Sequence, residues 1–161
     1  MKRVVWTAAA ILGAVLVQTA LGYLFPGPGR VLDPFLLVVV YAALVGGETD
    51  GMLTGMAAGW VQDALFGGRV LGLAALSKLV VGFVAGLAGR RFLISGAPAR
   101  ALAVLLASLA DALLVPWLAS VFNVELLPLG LLELLGRAFL NSLVGGVLFA
   151  LVERRLERRL S

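Results

Sequence analysis

The sequence contains no cysteine and no histidine. The first absence excludes disulfides, thiol nucleophiles and thiolate metal sites; the second removes the commonest general base and the commonest metal ligand. Charge is scarce too. Only 14% of the 161 residues are charged and 61% are hydrophobic, with a mean hydropathy of +1.07, so the chain has too little polar surface for water. A single transmembrane domain over residues 1–161, with a basic tail at 153–161, fits this length better than a soluble core. The composition implies no cofactor. The pI near 10.3 does not argue for nucleic acid, because the basic residues sit at the ends of apolar runs, where membrane topology accounts for them.

What the sequence does have is a series of long apolar runs. Met1-Lys2-Arg3 opens one that continues from Val4 to about Phe25, too long for an ordinary signal-peptide core, and it reads as an uncleaved first span. Gly, Pro or charge interrupts the pattern at Pro26 to Asp33, Gly46 to Gly51, Gly67 to Gly72, Arg90 to Arg100 and Asn123 to Pro128. The expected fold is therefore an all-α membrane bundle of six helices, at roughly 4–25, 34–47, 51–66, 71–89, 101–122 and 129–152. Segments two and three are short against the roughly 20 residues a span needs, so they read as thin, tilted or re-entrant.

The distribution of arginine and lysine orients the chain. With the N-terminus inside, Lys2, Arg3, Arg90, Arg91, Arg100, Arg154, Arg155, Arg158 and Arg159 are cytoplasmic, and only Arg30 and Arg69 lie outside. Nine against two predicts that both termini are cytoplasmic. Leu156 and Leu160 share one face of the tail, with four arginines around them. That pattern suits a short helix at the anionic inner leaflet, acting as a topology anchor.

Two features inside the spans stand out. Gly51, Gly55 and Gly59 recur at spacing four on helix three, as do Gly82 and Gly86 on helix four. Such small-residue ridges let helix backbones approach closely, within one bundle in the first instance and on a face for a second copy as the rival reading. The second feature is an intramembrane polar set: Asp63, Lys78, Asp111, Glu133 and Arg137, with Gln18, Gln62 and Asn141 as neutral companions. An ionisable group costs about 2.5–3.5 kcal/mol to insert, so these side chains are expected to face one another. Asp63 lies in line with the helix-three glycines and Lys78 with those of helix four, which predicts an Asp63–Lys78 pair where the ridges meet. Glu133, Arg137 and Asn141 form one stripe, from which Arg137 can reach Glu133, Asp111 or Asp63. Register fixing and partner binding are weighed equally as roles for this set. Pro116 removes a hydrogen bond inside helix five and predicts a kink there.

The run Gly59-Trp60-Val61-Gln62-Asp63-Ala64-Leu65-Phe66-Gly67-Gly68, continuing through Leu71-Gly72-Leu73-Ala74-Ala75-Leu76 to Gly82-Phe83-Val84-Ala85-Gly86-Leu87 and Arg90-Arg91, resembles the rod shape-determining MreD family. The resemblance implies a bacterial inner-membrane scaffold of the cell-elongation machinery. It also implies work with MreC, MreB and the RodA and penicillin-binding-protein pair, and a six-helix fold similar to the substrate-binding subunits of energy-coupling-factor vitamin transporters. In that setting the polar set would meet the juxtamembrane part of MreC, within a complex that could hold more than one copy of this chain.

Two other readings stand beside it. A vitamin-transporter subunit would use Lys78, Asp111 and Arg137 to line an outward-facing cavity. An intramembrane aspartyl protease would pair Asp63 with Asp111. Their estimated depths differ, however, and Gln62-Asp63-Ala64 and Ala110-Asp111-Ala112 do not match the motifs of lipoprotein signal peptidases.

Overall fold

The computed structural model describes residues 2–24, 32–66, 71–92, 96–125 and 130–160; the side chains of residues 2, 97 and 153–160 lie outside the description. Six helices follow one another: α1 (Lys2–Leu24), α2 (Pro34–Gly46), α3 (Glu48–Phe66), α4 (Leu73–Phe92), α5 (Ala97–Val121) and α6 (Leu131–Leu160). Among the described residues four stretches are long and apolar enough to cross a membrane, Arg3–Leu24, Leu73–Phe92, Pro98–Val121 and Leu131–Val152. The chain is thus an all-α, multi-pass membrane protein.

α2 and α3 depart from that pattern for different reasons. α3 has 19 residues, which at 1.5 Å per residue reach about 28 Å, close to the thickness of a bilayer core. Its hydropathy is lowered by Glu48 and Asp50 in its first turn and by Gln62 and the buried Asp63 near its end; Gly51, Thr54, Gly55 and Gly59 are also buried, while Leu53, Met56 and Trp60 face outward. α2 is very apolar but has only 13 residues, about 20 Å. It forms the centre of the bundle, with Phe35, Leu36, Val39, Val40 and Ala43 fully buried, and it packs against all five other helices.

The expected break at Gly46 to Gly51 shrinks to one residue. Gly47 has φ +89°, which an L side chain rarely adopts, and it turns the chain straight from α2 into α3. Its N–H donates to the Ala43 carbonyl at 2.8 Å, and the Arg90 guanidinium lies against its α-carbon. Arg90 pairs with Glu48 at 2.8 Å and Arg3 with Asp50 at 3.2 Å. These contacts gather the starts of α1 and α3 and the end of α4 at one end of the bundle. The starts of α2, α4 and α6 meet toward the other.

α5 is a single helix through Pro116. α6 continues unbroken to Leu160, so in backbone terms the basic tail extends the last helix rather than forming a separate one. The Leu156–Leu160 face lies outside the described side chains, and Arg30 and Arg69 lie outside the described residues.

Candidate functional site: a buried charge cluster

Packing of α3 on α4 sets the frame. A Cβ on Gly51 would collide with the Gly82 carbonyl, one on Gly55 with the Lys78 carbonyl, and one on Gly59 with Ala74 and Ala75; Gly86 lies against Gly47 and Glu48. The two backbones touch along this line, and no larger residue fits at these positions. Lys78 sits at this seam, but its side chain turns away from α3.

The Lys78 ammonium is 2.8 Å from Asp33 Oδ2 and 3.4 Å from Asp111 Oδ2. The Arg137 guanidinium donates from Nη2 to the same two carboxylates, at 3.1 Å to Asp33 and 3.2 Å to Asp111. Two cations and two carboxylates therefore form a closed, electrically neutral set. Lys78 and Asp111 are each 1% exposed, Asp33 is 2% and Arg137 19%. Neutral polar groups add further bonds, while the buried Arg137 Nε finds no partner among the described residues. Ser77 Oγ donates to Asp111 Oδ1 at 2.7 Å. Asn141 accepts from the Asp33 backbone N–H and donates to Ser108 Oγ, both at 2.9 Å. Burying charge is tolerable only with such pairing and bonding, and removing one partner would leave an uncompensated ion.

Asp33 comes from a stretch that reads as a loop in the sequence, and it is the member sequence reasoning missed. It caps α2: its Oδ1 accepts from the Leu36 N–H at 3.1 Å, and Pro34 occupies the first helical position. The Asp-Pro pair before an apolar run was the available signal. The second half of the signal was length: a helix as short as α2 that ends at one face must begin inside the bundle, so its cap is buried.

Two expected members lie elsewhere. Asp63 does not pair with Lys78 or Arg137. Its carboxylate accepts from the N–H groups of Gly72 at 2.9 Å, Ala74 at 3.0 Å and Ala75 at 3.3 Å. The unsatisfied donors at the start of α4 thus draw in the carboxylate at the end of α3. Glu133 is exposed and accepts from the Gly130 N–H at 3.2 Å, a local bond at the start of α6. Of the expected set, Lys78, Asp111, Arg137 and Asn141 come together, with Asp33 added. Gln62 is half-buried outside the cluster, and its Oε1 accepts no hydrogen bond. Asp63 and Asp111 are engaged separately, so no aspartyl dyad forms from them.

No curated protein and no solved structure matches the chain. The family model described as rod shape-determining protein MreD does match, over residues 2–156. With four long apolar helices on this backbone and a family match over nearly its whole length, the chain belongs to the MreD family.

Proposed function

We propose that this protein is a non-enzymatic scaffold of the bacterial cell-elongation complex in the inner membrane, binding MreC and helping to control cell shape and lateral wall synthesis. The observation that carries the reading is the family match over residues 2–156. All six helices cross or enter the bilayer as one transmembrane domain, with both termini cytoplasmic. The arginines of the α3-start end support that orientation. Five helices around a short central one, six in all, also agree in number with the substrate-binding subunits of energy-coupling-factor transporters.

Within this scaffold the charge cluster fixes helix register, and the glycine seam sets the distance between α3 and α4. Lys78 and Asp111, which would have to line a vitamin cavity, are buried against each other and against Asp33. That weighs against the transporter reading.

The experiment is depletion combined with capture. Loss of the protein from a rod-shaped host is expected to round the cells. The tagged protein in mild detergent is expected to retain MreC. Normal rods after depletion, together with recovery of a transporter ATPase in place of MreC, would refute the scaffold. A C-terminal reporter active only outside the cytoplasm would reverse the topology.

A further inference from the structure

The six helices do not pack evenly. α2, α3 and α4 lie closely together with α1 at their side on α2 and α3, and α5 and α6 pack chiefly on each other, with α5 also lying along α4 and both helices reaching α2. Among the described residues, neither α1 nor α3 comes into close backbone approach with α5 or α6. The molecule thus divides into a four-helix body, α1–α4, and a two-helix hairpin, α5–α6.

The apolar part of the seam between them consists of side chains: Leu36, Leu37, Val40 and Val81 of the body against Val104, Ala107 and Phe149 of the hairpin. In lipid such a contact gains nothing from the hydrophobic effect, because acyl chains are as apolar as leucine. The charge cluster supplies specific bonds across the seam. Arg137 reaches Asp33, Lys78 reaches Asp111, Ser77 donates to Asp111, and the Asp33 N–H donates to Asn141.

The cluster also divides along the same line. Asp33 and Lys78, 2.8 Å apart, both belong to the body. Asp111 and Arg137, 3.2 Å apart, both belong to the hairpin, as do Asn141 and its partner Ser108. Parting the halves would therefore leave one neutral ion pair on each side and strand no charge. A network built only to hold the fold together would not need this symmetry.

We propose that the α5–α6 hairpin is a separable arm, latched to the α1–α4 body by an ion cluster that opens into two self-neutral pairs. The latch goes beyond the scaffold role and does not depend on it. It gives the protein two states of the same charge balance, which any ligand of the seam could bias.

The charge symmetry predicts opposite results for two variants. Arg137→Gln strands Asp111 on the hairpin, where it can be neutralised only by Lys78 across the seam, and so holds the arm shut. The double variant Asp111→Asn with Arg137→Gln removes the hairpin's pair whole, leaves Asp33–Lys78 intact, and frees the arm.

The chain has no cysteine of its own, so spin labels can be placed uniquely on the full protein in phosphatidylethanolamine–phosphatidylglycerol vesicles. Leu53→Cys with Leu143→Cys spans the seam, and Leu53→Cys with Val84→Cys lies within the body; all three positions are exposed. The cross-seam distances should lengthen and broaden in the double variant and stay narrow in Arg137→Gln, with the within-body distances constant in both. An unchanged cross-seam distance in the double variant, or equal broadening of both label pairs, overturns the latch. Should a charge variant fail to accumulate, the native-charge protein still decides the matter, by flash-freezing after stepwise heating. The cross-seam pair should lose its defined distance at a lower temperature than the within-body pair, and simultaneous loss overturns the proposal.

Discussion

Between α3 and α4 the seam is backbone against backbone, while between α5–α6 and the rest of the bundle it is side chain against side chain, with an ion cluster beside an apolar patch. Neither is held by hydrophobicity, which does not distinguish a neighbouring helix from a lipid tail. The glycine seam works by shape: Gly51, Gly55, Gly59, Gly82 and Gly86 bring long stretches of chain into van der Waals contact. It tolerates no added atom but is indifferent to charge. The ion seam works by complementarity and can rearrange, but it cannot lose a partner. The comparison teaches that one bundle can combine a permanent joint with a conditional one, made from residue types that a hydropathy average treats alike.

The largest expected effect comes from unbalancing the ion seam. Lys78→Met leaves Asp33 and Asp111 to share Arg137, and should cost about 3–5 kcal/mol, as removal of one partner from a buried pair does. Reversible unfolding in mixed micelles checks this, and a loss below that of the glycine variant would break the ranking. Gly55→Ala forces a methyl into the Lys78 carbonyl of α4 and should cost about 2–3 kcal/mol by overpacking. The same unfolding measurement applies, and a neutral result would mean that the α3–α4 joint can spread. Asp63→Ala removes the acceptor shared by three N–H groups at the start of α4. It should cost about 1–2 kcal/mol, with faster amide exchange confined to residues 72–75; faster exchange throughout α4 would contradict a local cap. Glu133→Gln is the control, since this exposed carboxylate stands outside both seams. Its effect should stay within about 0.5 kcal/mol.

The sequence carried the helices more fully than the cluster, and particular residues show why. Apolar runs separated by Gly, Pro and charge located every helix, because insertion cost disciplines composition along the whole chain. The spacing of Gly51, Gly55 and Gly59 matched that of Gly82 and Gly86, so which helices touch could be read from small residues alone. Which charges meet could not. Asp63 was in the right place to face Lys78, yet the free N–H groups of α4 are nearer and satisfy it without a cation. Asp33 looked like a loop residue because its depth depends on where α2 starts, and that follows only once α2 is the short central helix. Partner choice was decided by rotation about the helix axes, and one sequence does not record it.

The short central α2 has a further consequence for how the protein is made. A 13-residue helix led by an aspartate is a poor candidate to leave the translocon on its own, since it is shorter than the roughly 20 residues of an ordinary span and brings no counter-ion. Its aspartate gains its cation only when α4 delivers Lys78, about 45 residues later in synthesis at ~5–20 residues per second. The ribosome therefore sets a clock on this step. A truncation ending before Lys78 would present the quality-control proteases with a chain that has entered the membrane but cannot settle there.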